Sequence, residues 1–318
     1  MICQGILAGK MTPPNRRRRC ADGNQAGNVP DSRPIFTSGS MLAVMRNRQT
    51  HTSLPLVIFA LMCLCPPLSA SDKGREQHWE QLIRDSAVGE SLGLATPEGD
   101  RFLALYTPSV GEPQGAIILA HGMGVHPDWP DVIQPLRVNL PRSGWATLSL
   151  QMPVADRHAP YSEYQQLFGE VPGRINAAIA FLKEKGIYNI VLGGHSMGAA
   201  MALSYLAENP DKSVRAFLAI GLSAAPADPN PGWIETLQVP TLDLFGERDT
   251  RWVMSTSASR LAAALRGGNP DYRQLLVPGA DHFFRGLDDA LVTRVRSWLA
   301  RVAPGSEVPK DRTRVVNR

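Results

Sequence analysis

Gly194-His195-Ser196-Met197-Gly198 sets a serine between two glycines, each two residues away. A serine hydroxyl is a weak nucleophile until a base takes its proton. It also needs a chain that turns sharply beneath it. The apolar run Ile190-Val191-Leu192 precedes this pentapeptide and the helix-forming run Ala199-Ala200-Met201-Ala202-Leu203 follows it. Strand, tight turn and helix together are the setting of a nucleophile elbow. The glycines relieve the crowding of a strained turn. The helix starting at Ser196 aims its amide end at the reaction centre. The bland alternative is a turn whose serine only caps the helix.

The serine needs a base, and His282 is the only histidine after Ser196. It follows the short apolar run at 274–277 through Gly279-Ala280-Asp281. Imidazole titrates near neutral pH and can accept the serine proton. An orienting carboxylate is expected after an earlier strand. The run at 240–245 leads into Gly246-Glu247-Arg248-Asp249, which places Asp249 in the loop at that strand's end. Asp249 would hold the imidazole in one tautomer and stabilise its cation. Asp243 is a rival, but it lies mid-strand, where a charge is costly to bury. Asp281 is a second rival, although sequence neighbours rarely face each other. An oxyanion needs two backbone amides. Met197, just after the serine, supplies one. Met123, in the loop His121-Gly122-Met123-Gly124 after the apolar run at 115–120, supplies the other.

These motifs, in the order serine, acid, histidine, resemble the α/β-hydrolase superfamily over about residues 90 to 303. His126-Pro127-Asp128-Trp129-Pro130 and Gly144-Trp145-Ala146-Thr147-Leu148-Ser149-Leu150 are similar to a bacterial α/β-hydrolase family of unknown function that is typically exported. The resemblance implies an envelope hydrolase and no particular substrate. Only 17 residues, Leu222 to Gln238, lie between the sixth and seventh expected strands. That is too few for a helical cap and is similar to the capless, dienelactone-hydrolase-like members.

The segments that must position this machinery alternate. Leu92 to Thr96 and Arg101 to Thr107 flank Pro97-Glu98-Gly99-Asp100 and read as a hairpin. Strands at 116–120 and 146–150 follow, with helices around 131–142 and 174–185. Such alternation demands a mostly parallel sheet with helices on both faces. Its central strands should be continuous apolar runs, as Ile117 to Leu119 and Ile190 to Leu192 are. The last helix carries Leu287, Leu291, Val295, Trp298, Leu299 and Val302 on one side, a core-facing stripe. Sites in such sheets lie beyond the carboxyl ends of the strands, where all four motifs fall.

Charge separates the chain into two parts. The first 70 residues hold eight basic and two acidic residues, a net of +6; the whole chain carries +4, so −2 remains for 71–318. The basic balance belongs to the leader, which argues against a nucleic-acid partner. Arg46 and Arg48, the 11-residue apolar stretch Leu54 to Leu64, Pro66-Pro67 and Leu68-Ser69-Ala70 read as a secretory signal over 46–70. The stretch is short for a bilayer span, so no stable membrane span is expected after cleavage. Residues 1–45 read as a disordered extension or a mis-assigned start ahead of Met41 or Met45. Residues 71–303 read as one α/β-hydrolase domain and 304–318 as a flexible tail. All four cysteines (Cys3, Cys20, Cys63, Cys65) fall in the leader, so the mature chain needs no disulfide and has no thiol nucleophile. A lipid anchor at Cys63 or Cys65 fits its flanking residues poorly.

Tyr161, Tyr164 and Phe168 in the segment 152–173, and Trp233, either overhang Ser196 or pack loops onto the domain. Trp129 reads as packing. His121, His126 and His158 with Asp128 have no metal-ligand spacing. His195, following a strand, should point away from the site as a satisfied structural histidine. The expectation is therefore an exported, periplasmic serine hydrolase for a small-molecule ester or related acyl bond, needing no cofactor. Acyl transfer and peptide cleavage use the same residues. A non-catalytic binding protein of this fold usually lacks one of them. N-terminal sequencing of exported protein should find the mature chain starting at Ser71; an N-terminus upstream of Leu54 would remove the signal reading.

Overall fold

The computed structural model of the chain describes residues 70–209, 211–224 and 229–305. The extension at 1–45, nearly all of the signal segment and most of the tail lie outside the described residues. The chain runs α1 (Lys73–Ile83), β1 (Glu90–Ala95), β2 (Arg101–Thr107), β3 (Gly115–Ala120), α2 (Ile133–Asn139), β4 (Trp145–Leu150), α3 (Tyr161–Gln166), α4 (Val171–Glu184) and β5 (Ile190–His195). It continues through α5 (Met197–Glu208), β6 (Val214–Ile220), α6 (Asn230–Thr236), β7 (Thr241–Arg248), α7 (Arg251–Ser255), α8 (Ser257–Arg266), β8 (Tyr272–Asp281) and α9 (Asp288–Val302). The eight strands form one sheet in the order β1-β2-β4-β3-β5-β6-β7-β8. β2 is antiparallel to β1 and to β4, and every other neighbouring pair is parallel. This is the α/β-hydrolase arrangement, with a short β6–β7 connection and no large cap.

The apolar runs become central strands because both faces of the sheet are covered. β3, β4 and β5 are buried along their whole length. Side chains alternate across the sheet. Ile118 and Leu192 face one core with Ile175, Ile179 and Leu182 of α4 and Met201 and Tyr205 of α5. Ile117, Leu119 and Val191 face the other, with Leu136 of α2 and Leu291, Val295, Trp298 and Leu299 of α9. Each fully buried side chain of this size contributes roughly 1.5–3 kcal/mol relative to exposure.

Element ends depart from the apolar pattern where local chemistry intervenes. The helix expected over 131–142 starts at Ile133, after Val132 at φ 63°, and tightens to a 3-10 turn at Leu140–Ser143 around Pro141 before Gly144. α4 starts three residues ahead of the expected Arg174, with Pro172 in its first turn, where a missing N–H costs nothing. β8 runs well past the apolar run at 274–277 in both directions. It is an edge strand, half exposed, so polar residues extend it without cost.

α1 has almost no apolar periodicity. Its only buried residues are Glu76 and Ile83. An ion pair holds it: Arg174 of α4, 1% exposed, donates to Glu76 at 2.9 Å and to Glu170 at 3.3 Å. Arg174 also donates to the carbonyl of Gln151 at 2.7 Å. One guanidinium thus ties α1, α4 and the chain leaving β4 together.

Asp243 of β7 sits in the core with no exposure, and Arg260 of α8 compensates it with the Nε donating at 2.7 Å. The Tyr272 hydroxyl (2.7 Å) and Gln274 (2.9 Å) donate to the same carboxylate. Burial, and next the Asp243 charge, push the Tyr272 hydroxyl well above its usual pKa. Breaking a buried pair strands one charge, so Arg260→Met should lower the unfolding free energy by about 3–5 kcal/mol. Asp243→Leu combined with Arg260→Met should recover most of that loss. Urea denaturation of both variants measures the two values, and an unchanged midpoint for Arg260→Met would contradict the assignment.

Candidate active site

Strand register lines up the residues expected to do chemistry. In β3–β5, Ala120 pairs with Gly194; one step further along the parallel pair stand His121 beside His195, and then Gly122 beside Ser196. In β5–β6, His195 pairs with Ile220, so Gly221 follows beside Ser196. In β7–β8, Arg248 pairs with Asp281, so Asp249 and His282 emerge side by side. Parallel strands deliver successive loops to one edge of the sheet, and that edge holds Ser196, Asp249 and His282 with the loop that carries Met123.

Ser196 has φ 54° and ψ −117°, a strained backbone for a non-glycine residue, and it occupies the N-cap position of α5 without a side-chain capping hydrogen bond. Its flanking glycines are required by contact. A Cβ on Gly198 would lie 2.3 Å from the carbonyl oxygens of Ala120 and His121, and one on Gly194 would lie 2.5 Å from Gly198. The start of α5 therefore presses directly on the end of β3.

His282 Nδ1 lies 2.6 Å from Asp249 Oδ1. The carboxylate also accepts the backbone N–H of Thr250 at 2.7 Å and of Gly246 at 3.3 Å. Burial acts to raise the Asp249 pKa. The hydrogen bonds from His282, Thr250 and Gly246, with the imidazole's charge, outweigh it and hold the carboxyl below its usual value. Gly221, at φ +61°, lies under the imidazole: a Cβ there would stand 2.9 Å from His282 Cε1. The rival acids are engaged elsewhere. Asp243 pairs with Arg260, and Asp281 accepts the N–H groups of Phe283 and Arg285 in the turn after β8.

His195 departs from the expectation that it points away. It is buried and satisfied, yet its ring centroid lies 4.8 Å from that of His282, and its Nε2–H donates to the His282 carbonyl at 2.9 Å. The register explains this: a residue at the last position of β5 sits at the same sheet edge as the start of the β8 loop. Burial, with the nearby His282 adding to it, lowers the His195 pKa to about 4, so the ring is neutral.

His121 performs a matching service for the other loop. Its Nδ1–H donates to the Gly122 carbonyl at 2.8 Å, while Nε2 accepts from the Met152 N–H at 2.9 Å and from the Gln151 amide at 3.0 Å. Burial is the main cause that lowers its pKa to about 3. In a trans peptide the N–H is antiparallel to the carbonyl. Fixing the Gly122 carbonyl toward His121 therefore turns the Met123 N–H the other way. A Cβ on Gly122 would be 3.7 Å from the Cβ of Ser196, so this loop abuts the serine. Among the described residues neither the Met123 nor the Met197 backbone N–H donates to a protein acceptor. Met197 is the first residue of α5, whose amide has no intrahelical partner.

Ser196 and His282 open into one cavity of about 170 Å³, walled by Ala200 and Val253 with Tyr161 and Trp252 at its side. Of the aromatics expected near the serine, only Tyr161 lines this space. Phe168 and Trp233 stack on each other at 5.9 Å and pack on the core, and Tyr164 is buried beside Gly124. Trp129 packs edge-on against His126. Among the described residues no group of three or more His, Cys, Asp or Glu is placed to hold a metal ion. No described helix is long and apolar enough to cross a membrane.

A model of the family described as Protein of unknown function (DUF3530) matches residues 65–170 and 164–301. The chain belongs to this family. A search of curated protein sequences returned no match to this DUF3530 member. Solved structures share its fold. A dienelactone hydrolase from Anabaena variabilis superposes with TM-score 0.55 at 20% identity, covering 67% of this chain and 97% of its own. An esterase from Pyrococcus furiosus gives 0.55 at 15% identity, covering 67% and 92%. An alpha-beta serine hydrolase homologue from Coxiella burnetii gives 0.52 at 17%, covering 66% and 98%. At such identities the likeness is one of fold.

The two buried histidines set an acid response. Unfolded, each binds its proton near pH 6.5; folded, His195 binds it near 4 and His121 near 3. Between those values the unfolded chain holds more protons, so stability is full above about pH 6.5 and falls as pH drops, by up to about 1.4 kcal/mol per pH unit for each histidine. Urea titrations from pH 7 to 4 should record that fall in the wild type. His195→Gln, which keeps a donor for the His282 carbonyl, should remove about half of it. An equally steep fall in the variant would mean that His195 is not held neutral.

Proposed function

We propose that this chain is a serine hydrolase that cleaves an ester or related acyl bond, with Ser196 as nucleophile, His282 as general base and Asp249 as its orienting acid. One observation carries the reading. The 2.6 Å Asp249–His282 hydrogen bond occupies Nδ1 of an imidazole that shares a cavity with a strained, elbow-borne serine. With Nδ1 bound to the carboxylate, Nε2 is the nitrogen left to take a proton.

The Ser196 hydroxyl attacks the acyl carbon as its proton passes to His282 Nε2. The carbonyl π pair moves onto oxygen, and the N–H groups of Met123 and Met197 receive the resulting oxyanion. Such donors contribute about 3 kcal/mol of transition-state stabilisation each in other serine enzymes. Collapse breaks the bond to the leaving group, which takes its proton from His282. A water, deprotonated by the same imidazole, attacks the acyl-enzyme and releases the acid and free Ser196. The secretory signal read at 46–70 supports an activity outside the cytoplasm, in the envelope.

A fluorophosphonate probe should label Ser196 in the folded protein, and Ser196→Ala should abolish labelling. Asp249→Asn presents an amide that can donate to Nδ1 and reverse the tautomer, so kcat/KM on a short p-nitrophenyl ester should fall by on the order of 10⁴ with the fold kept. Folded wild-type protein that neither labels nor turns over the ester would overturn the proposal.

A further inference from the structure

Beside the loop that carries Met123 and Gly124 lies a second hollow, of about 360 Å³, lined in part by Arg75, Trp79, Arg157 and Tyr164. Its floor is cationic, and no described acid neutralises it. Arg75, half-buried in α1, spends two of its N–H groups on the carbonyls of Ala155 and Gly124 and lays its guanidinium 4.8 Å over the Trp79 ring. It forms no ion pair with any described residue, unlike its neighbours Lys73 and Glu76. Arg157 reaches the same hollow from the loop after β4. It is exposed and makes no hydrogen bond or ion pair with a described residue. A half-buried guanidinium facing only carbonyl dipoles and a ring retains three donors and a full charge. Guanidinium forks match carboxylate and phosphate oxygens.

The hollow is coupled in space to the serine. Met123 lines it, and Met123 follows Gly122, which abuts Ser196. One short helix serves both spaces, with Tyr161 of α3 on the serine cavity and Tyr164 on the cationic hollow. A molecule with its acyl carbon at Ser196 and its far end between Arg75 and Arg157 would run past the Met123 side chain, which is exposed.

We infer that this hollow binds an anionic group of the substrate, a carboxylate or phosphate, so that the enzyme selects acyl compounds carrying a negative charge several bonds from the scissile ester. This deepens the hydrolase reading and rests on it for the orientation of the substrate.

Two measurements test it. The first compares p-nitrophenyl monoesters of succinate, glutarate and adipate with their methyl-capped neutral counterparts. At least one of the anionic esters should be favoured by roughly tenfold to a hundredfold in kcat/KM. Arg157→Gln and Arg75→Gln should each erase most of that ratio, while Arg296→Gln, which removes the same charge from α9, should keep it. The second is calorimetric titration of Ser196→Ala protein with glutarate and with inorganic phosphate, which separates a carboxylate site from a phosphate site. Binding that weakens at least tenfold in Ser196→Ala/Arg157→Gln supports the inference. Equal kcat/KM for charged and capped esters, or titrations the same with and without Arg157, would overturn it and leave the serine chemistry standing. Absence of both labelling and turnover would remove the hydrolase reading, and the titrations would still decide whether the hollow takes an anion.

Discussion

The contact between the start of α5 and the end of β3 governs the geometry of this molecule. Gly198 meets the Ala120 and His121 carbonyls where no Cβ fits, and Gly194 meets Gly198 in the same way. That close approach fixes Ser196 in a left-handed conformation and brings the loop from β3 against it. Parallel register then does the rest. It carries Gly221 in beside the serine and sets Asp249 and His282 next to each other beyond the last paired residues of β7 and β8.

The edge of a parallel sheet is a difficult place for polar chemistry, because loops there leave backbone groups to satisfy. Two buried histidines do much of this. His121 fixes the carbonyl of Gly122 and accepts from the chain leaving β4, and His195 holds the carbonyl of His282. Both must be neutral, one nitrogen donating and, in His121, the other accepting. Burial enforces that state. The same desolvation that costs a charged imidazole its stability makes a neutral one a rigid strut, bonded at both ends in His121.

Ion pairs anchor the outer layers. Arg174 joins α1 and α4 to the carbonyl of Gln151, whose own side chain donates to His121. A line of polar contacts therefore runs from the surface helix α1 to the loop that abuts the serine. Arg260 and Asp243 secure α8 to β7. Such pairs fix position more than they add net stability, since each charge gives up water to enter the core.

The apolar runs in the sequence already specified the central strands, because a strand covered on both faces has to be apolar throughout. Glycine spacing marked the elbow, since only glycine permits that approach. Chain order and the scarcity of histidines after Ser196 singled out His282, and Asp249 stood at the end of a legible strand. What the sequence left dark was held by polar contacts between distant residues. α1 carries no apolar stripe; besides Ile83 and Trp79 it is tied down by Glu76 and Arg174, 98 positions apart. The direction of His195, the occupation of Asp243 by Arg260, and the placing of Arg75 and Arg157 on one hollow follow from strand register and helix docking. Local periodicity reports what a segment buries. Which charge meets which partner depends on the packing of the whole sheet, and only the tertiary structure decides that.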